Sequence, residues 1–368
     1  MRDAIASPGR HGTAVLGVLA AALVALCLSA PTGARSHGQM PRTDGWTPAL
    51  RADALRRAAV WHPPAVAIER ANFEVSPLRL PDDVDCSFMV NDVGGTAPKF
   101  DCQLPSGEIV KIKYSGAEPY GEVASSRLLA ALGFGADRVT FVRRLRCHGC
   151  PWFPFATMKA VELARARGLY RRVVNYRDVV EFEWVAIEGK FAGEPIETDE
   201  HRGWGWYETG QFQDAPRPHV DALRLLAVFL AHWDNKPDNQ RLVCLPGGRA
   251  REGRCRRPFA IIQDLGATFG PRKVDLDGWR AAPIWHDRPS CQVSMESMPH
   301  AGSTFEPGAI SEEGRRFLGE RLSKLTDAQI EALFRTARFE AHDGTIADWV
   351  SAFKAKVRAI AEGPSCPS

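Results

Sequence analysis

The sequence predicts an α+β protein of two lobes, an antiparallel sheet lobe over residues 82–190 followed by a helical lobe over residues 191–362. Two observations carry this. Between Cys86 and Ile187, short β-branched segments alternate with Gly, Asn, Asp and Pro turns around one amphipathic helix. Beyond Val220 the apolar spacing is helical almost throughout. The 368 residues, 45% hydrophobic and 25% charged, suffice for two lobes. The formal net charge of +3 is not gathered into a run of Lys and Arg, which argues against nucleic acid as the main partner.

The N-terminus reads differently. Arg2 and Arg10 precede an apolar run from Val15 to Leu28, and Thr32-Gly33-Ala34 supplies small residues where a signal peptidase cuts. Residues 1–34 are therefore expected to be a signal peptide, with the chain secreted or periplasmic and no stable membrane span. Residues 35–81, rich in Arg, Ala and Pro, are expected to be an extension or linker with one helix at Pro48 to Ala59.

Of nine cysteines, Cys27 falls in the apolar run, and the remaining eight form an even set. Behind a secretory signal that favours disulfides over free thiols or zinc. Cys86 with Cys102, and Cys244 with Cys255, each bracket an expected hairpin. Cys147, Cys150, Cys291 and Cys366 remain by elimination, and their pairing stays open.

Strands are expected at Cys86 to Val90, Lys99 to Gln103 and Glu108 to Tyr114, separated by Asn91-Asp92-Val93-Gly94-Gly95 and Pro105-Ser106-Gly107. Pro119 to Leu132 is helical by its Val123, Leu128, Leu129 and Leu132 spacing and ends at Gly133. A strand at Arg138 to Leu145, a basic helix near Met158 to Arg172 and a strand at Val179 to Ile187 complete the first lobe. Val220 to Ala231 is apolar enough for a buried helix. Ser, Thr or Asp caps open further helices at Ser311 to Leu325, Asp327 to Arg338 and Thr345 to Ala361.

The most informative segment is His232-Trp233-Asp234-Asn235-Lys236-Pro237-Asp238-Asn239, between the buried helix and an apolar strand at Arg241 to Leu245. Phosphoryl transfer needs a carboxylate to orient the attacking hydroxyl and a neutral oxygen ligand nearby to hold a metal against phosphates. Asp234 and Asn239 supply that pair on one tight loop. A second apolar run, Pro258 to Gln263, delivers Asp264-Leu265-Gly266 at its end. Upstream stand Gly94-Gly95-Thr96-Ala97-Pro98-Lys99 between two strands, Val110-Lys111-Ile112-Lys113, and Glu122 in the first turn of the next helix. Taken singly, each of these is also what a solvated turn or surface charge looks like. Their collinear order distinguishes them.

The spacing His-x-Asp-x4-Asn, with Lys-Pro inside it, resembles the catalytic loop of protein kinases, and Asp-Leu-Gly resembles their metal-binding Asp-Phe-Gly. The glycine loop is similar to that of HipA-like kinases. The short Glu122 helix, the Cys-rich insertions and the signal peptide resemble the secretory-pathway, Golgi casein-kinase-like group, and both groups are related to the phosphoinositide kinases. No Ala-Pro-Glu follows Asp264. The resemblance covers residues 86–270 and implies a two-lobed, protein-kinase-like fold. It implies ATP with Mg²⁺ or Mn²⁺ and transfer of the γ-phosphoryl to a hydroxyl of protein Ser/Thr, sugar or lipid. Asp234 and Lys236 would then be catalytic; Gly94, Gly95, Thr96, Lys113 and Glu122 would bind the nucleotide; Asn239 and Asp264 would hold the metal. Lys111 shares the strand face of Lys113 and remains its alternative. A catalytically silent scaffold and a protein nucleotidyltransferase use the same parts.

Cys147-His148-Gly149-Cys150 has thiol-oxidoreductase spacing but precedes Pro151 without an evident helix, and it lacks a second ligand pair for zinc. Gly203-Trp204-Gly205-Trp206-Tyr207-Glu208 is left unassigned between aromatic platform and core.

Overall fold

The computed structural model describes residues 45–296, 298 and 303–367. The signal-peptide reading and Cys27 lie outside them. Helix α1 (Pro48–Arg56) is capped by Thr47. Strands β1 (Asp83–Met89), β2 (Lys99–Gln103) and β3 (Ile109–Lys113) lead into helix α2 (Glu118–Leu132). The chain then forms β4 (Gly135–Ala136), β5 (Arg138–His148), helices α3 (Pro154–Leu163) and α4 (Arg167–Val173), and β6 (Val179–Gly189).

Strands β1, β2, β3, β6 and β5 close a five-stranded barrel in that order. The sheet expected to be antiparallel is so at every pairing but one: β1 runs parallel to β5, with Cys86 opposite Cys147. The long crossover through α2 makes this direction possible, because parallel neighbours need a connection of a dozen or more residues. Alternation along each strand sends Phe88, Phe100, Ile112, Val185 and Ile187 into the barrel core. Cys86–Cys102 and Cys147–Cys150 are disulfides whose Cys102 and Cys147 sulfurs lie 3.7 Å apart, so the two staples brace one corner. The single basic helix expected at Met158 to Arg172 is two, α3 and α4, divided at Ala164–Ala166 where Arg165 takes φ 51°.

The second lobe carries β7 (Glu194–Pro195), α5 (Arg217–Leu230), β8 (Gln240–Cys244), β9 (Pro258–Ile262), α6 (Leu276–Ala281), β10 (Trp285–Asp287) and β11 (Gln292–Val293). It ends in α7 (Glu312–Ser323), α8 (Asp327–Thr336) and α9 (Ile346–Ala361). Ser311, Thr326 and Thr345 cap the last three helices with their hydroxyls. Their apolar faces meet α5 around Phe229, Phe269, Trp279, Phe334, Trp349 and Phe353, an edge-to-face aromatic core. Cys244–Cys255 closes the hairpin between β8 and β9, and Cys291–Cys366 ties the C-terminus to the lobe.

The linker reading needs correction for residues 45–73. Trp46, Leu55, Ala58, Val60 and Phe73 are buried in this same core. Ala59 exchanges backbone hydrogen bonds of 3.1 and 2.9 Å with Pro258 and Ala260. The apolar residues are too sparse to show a period, yet each finds a site on the helical lobe.

Candidate nucleotide and metal site

Helix α5 stops because Ala231 adopts a left-handed conformation, φ 53°, and the turn releases residues 232–239 as a loop. That loop is pinned from several sides. The His232 N–H donates to the Ala227 carbonyl at 2.9 Å, and the Trp233 N–H to Ala267 at 3.3 Å. Asn235 is the internal clamp. Its amide donates to the His232 carbonyl, and its side-chain oxygen accepts from the Phe305 N–H at 3.0 Å and the Ser303 hydroxyl at 2.6 Å. The Asn239 amide donates to the Asp234 carbonyl at 2.6 Å, and Lys236 lies 3.0 Å from the Asp234 carboxylate. Burial holds the His232 ring neutral, with its pKa pushed down to about 4.

Gly203 explains how the loop is backed. A Cβ at this position would stand 1.9 Å from the Pro237 carbonyl and 2.0 Å from that of Gln240, so only glycine lets this segment lie against the loop. The neighbouring Trp204 and Trp206 are buried, and Trp204 donates to the Ile261 carbonyl at 3.2 Å. Glu208 receives both guanidinium arms of Arg51, at 3.0 and 3.1 Å. The segment left unassigned is thus a structural brace.

The antiparallel pairing of β8 with β9 sets Gln240 opposite Ile262 and brings the two motifs together. The Gln263 N–H donates to the Asn239 carbonyl at 2.9 Å, which fixes Asp264 one residue on. Leu265 is buried in the main core, as an apolar residue between Asp and Gly should be. Helix α2 packs directly on this turn. Gly121 permits the approach, since a Cβ there would meet the Thr268 hydroxyl at 2.8 Å, and that hydroxyl accepts from Ser125 at 3.0 Å and donates to Leu265.

The result is one charge cluster, buried at Lys113, Glu122 and Glu188 and open to the cleft at Asp264, whose side chain is 35% exposed. The Lys113 ammonium lies 2.5 Å from Glu122, 3.2 Å from Glu188 and 3.6 Å from Asp264. Lys113 is 2% exposed and Glu122 fully buried. Burial works against the charge on Lys113, but Asp264, Glu122 and Glu188 outweigh it and hold its pKa well above the usual value. Burial also raises Asp264, yet Lys113 draws it down to about 2, so its carboxylate is ionised. Glu122 is pushed up to about 8, first by burial and then by the neighbouring carboxylates against the pull of Lys113. Lys111 instead meets Glu188 at 3.4 Å and is partly exposed. The geometry thus separates the two lysines: Lys113 is the one bonded to the helix Glu.

Between the lobes lies a cleft of about 880 Å³, lined by Gly94, Gly95, Thr96, Lys99, Lys111, Glu188, Asp234, Lys236, Asn239 and Asp264. Its volume falls within the range of about 300–1,000 Å³ usual for small-molecule sites. Asn91 fixes the start of the glycine loop by donating to Asp101 at 3.1 Å. Among its lining groups, Asp264 and Asn239 offer hard oxygen donors on adjoining strand ends, the donor type that suits Mg²⁺ or Mn²⁺. The fold is two-lobed, a five-stranded barrel lobe followed by a mainly helical lobe.

Two solved structures are similar to the chain. A Helicobacter pylori proinflammatory kinase, CtkA, aligns with a TM-score of 0.42 at 9% identity, over 76% of this chain and 97% of that one. The Golgi casein kinase with Mn/ADP bound aligns with a TM-score of 0.37 at 12% identity, over 84% of this chain and 73% of that one. No family model matches the chain, and no curated protein matches its sequence.

Of the residues singled out in the sequence for the site, Gly94, Gly95, Thr96, Asp234, Lys236, Asn239 and Asp264 line the cleft, while Lys113 and Glu122 form a buried pair behind it that reaches it through Asp264. Glu188, Asn235, Gly203 and Lys99 were not singled out. Glu188 had a signal: it is the one acid closing the apolar run Val185-Ala186-Ile187, in phase with Ala186, and pairs across the sheet with Lys111. Asn235 and Gly203 had none, because their partners lie 68 to 70 and 34 to 37 residues away in sequence.

Proposed function

We propose that this chain is an extracytoplasmic, kinase-like phosphotransferase that moves the γ-phosphoryl of ATP to a hydroxyl acceptor. The observation that carries the reading is the buried contact of Lys113 with both Glu122 and Asp264, behind the cleft that Asp264 lines together with Asp234 and Asn239. Four disulfides support the extracytoplasmic part of it.

In this reading Glu122 holds the Lys113 ammonium where the α and β phosphates lie, and the glycine loop from Gly94 to Thr96 offers backbone N–H groups to the phosphates. Asp264 and the side-chain oxygen of Asn239 hold Mg²⁺ or Mn²⁺, which neutralises phosphate charge when bound. Asp234 accepts the proton of the acceptor hydroxyl as its oxygen attacks γ-phosphorus and the bond to the β–γ bridging oxygen breaks, leaving ADP. Lys236, already beside Asp234, faces the charge that grows on the transferred group. The acceptor is Ser or Thr of a protein, a sugar or a lipid.

Incubating the protein with α-labelled and γ-labelled ATP and either metal tests this. Incorporation of γ label alone supports the kinase reading. Incorporation of α label points to nucleotidyl transfer, and no incorporation with nucleotide bound points to a scaffold.

A further inference from the structure

Helices α3 and α4 form an insert between β5 and β6, and its outer face is apolar. On α3 the exposed positions Phe153, Ala156, Ala160, Leu163 and Ala164 fall at helical spacing on one stripe. The opposite side, with Pro154 and Met158, already packs on the barrel. An exposed apolar stripe on a helix whose other side already packs on the core marks a contact surface. Here Phe153 is 75% and Leu163 88% exposed, and Trp152, just before the helix, is 64% exposed. On α4, Leu169 and Val173 share a face four residues apart, both largely exposed, and Tyr176 follows.

The charge around this stripe is one-sided. Residues 149–178 hold Lys159, Arg165, Arg167, Arg171, Arg172 and Arg177 against only Glu162 and Asp178, an excess of four positive charges on an insert of a chain whose total is +3. Glu162 is within 3.5 Å of Lys159, and Asp178 accepts from Asn175. Arg167 pairs with Asp92, and Arg171 donates to the Val90 carbonyl at 3.0 Å. Arg165, Arg172 and Arg177 are exposed and make no ion pair among the described residues.

We propose that this insert docks the protein on an anionic bilayer surface. Trp, Phe and Leu on one face, flanked by arginines without counter-charges, insert shallowly among headgroups while the arginines meet lipid phosphates. No helix among the described residues is long and apolar enough to cross a membrane, and surface docking needs none. Arg167 and Arg171 tie the insert to residues 90–92, at the base of the glycine loop, so a docked insert sets the mouth of the cleft beside the bilayer. This inference rests on the insert alone and not on the phosphotransfer reading.

Co-sedimentation of the full chain with vesicles of phosphatidylcholine, and with vesicles of equal parts phosphatidylcholine and phosphatidylglycerol, tests it. The wild type is expected to bind the anionic vesicles at least about tenfold more tightly, and the gap should close in high salt. The pair L163D and L169D, and separately the pair R165E and R172E, should each weaken anionic binding by about tenfold. All four positions are exposed, so melting temperatures should match the wild type. Equal sedimentation of wild type and both variants overturns the proposal, as does equal affinity for the two vesicles. A wild-type oligomer that the leucine pair dissolves without lipid also overturns it, because a second copy would then cover the stripe.

Discussion

The Glu188 carboxylate lies 3.2 Å from the Lys113 ammonium, and both side chains are buried. Glu188 also pairs with Lys111 and Lys190, so it is the hub of three lysines rather than a spare carboxylate. Its pKa is held well below the usual range: burial raises it, and Lys111, Lys113 and Lys190 together outweigh burial. Glu188→Ala would take from the buried Lys113 ammonium one of its three carboxylate partners, and from Lys111 and Lys190 a shared one. It should destabilise the fold by about 3 kcal/mol, read by urea denaturation, whereas Glu188→Gln should cost distinctly less.

Gly203→Ala should lower stability and turnover together. The added Cβ pushes on the Pro237 and Gln240 carbonyls and so displaces Asp234 and Asn239. A displacement near 1 Å costs about 10² in rate. Phosphotransfer should fall by about that factor, and metal-dependent nucleotide binding should weaken with it through Asn239.

Lys356 carries a pH prediction. It is buried on α9, donates to the Ala282 carbonyl at 2.6 Å, and burial pulls its pKa from 10.5 down to about 8. The unfolded chain therefore binds more protons than the folded one between about pH 8 and 10.5, so this group's contribution grows more favourable as pH rises through that window. Below it, the folded state carries a buried charge at a cost. Lys356→Met should stabilise the protein by about 1 kcal/mol at pH 7 once the lost hydrogen bond is counted, and the gain should vanish by about pH 10. A wild-type stability that is flat with pH relative to the variant would contradict this.

Replacing Cys244 and Cys255 by Ser together removes a closure of 11 residues. The loss should be about 3 kcal/mol in chemical denaturation. Because the hairpin lies beyond the strand ends that hold Asn239 and Asp264, nucleotide binding below the new unfolding midpoint should persist.

The parts of the fold legible in the sequence are those with local signals. Caps at Ser311, Thr326 and Thr345, the stop at Gly133 and the apolar run ending at Asp264 each act within a few residues. The collinear order of Lys113, Glu122, Asp234, Asn239 and Asp264 was readable for the same reason. The parallel pairing of β1 with β5 was not, since nothing in either strand encodes its direction. Nor was the burial of residues 45–73, whose scattered apolar side chains gain a pattern only from the surface they cover. Burial of the acid Glu188 is likewise a property of three lysines brought in from β3 and the segment after β6.

Nucleotide binding by two single variants tests the central assignment most directly. Titrating ATP with Mg²⁺ or Mn²⁺ into Asp264→Ala should show metal-dependent binding lost, because the metal then lacks its ionised carboxylate. Asp234→Ala should bind ATP and metal as the wild type does, yet lose phosphotransfer by about 10² or more. If both variants keep their fold, bind nucleotide and transfer phosphate at wild-type levels, the cleft lined by Asp234, Asn239 and Asp264 is not a phosphotransfer site.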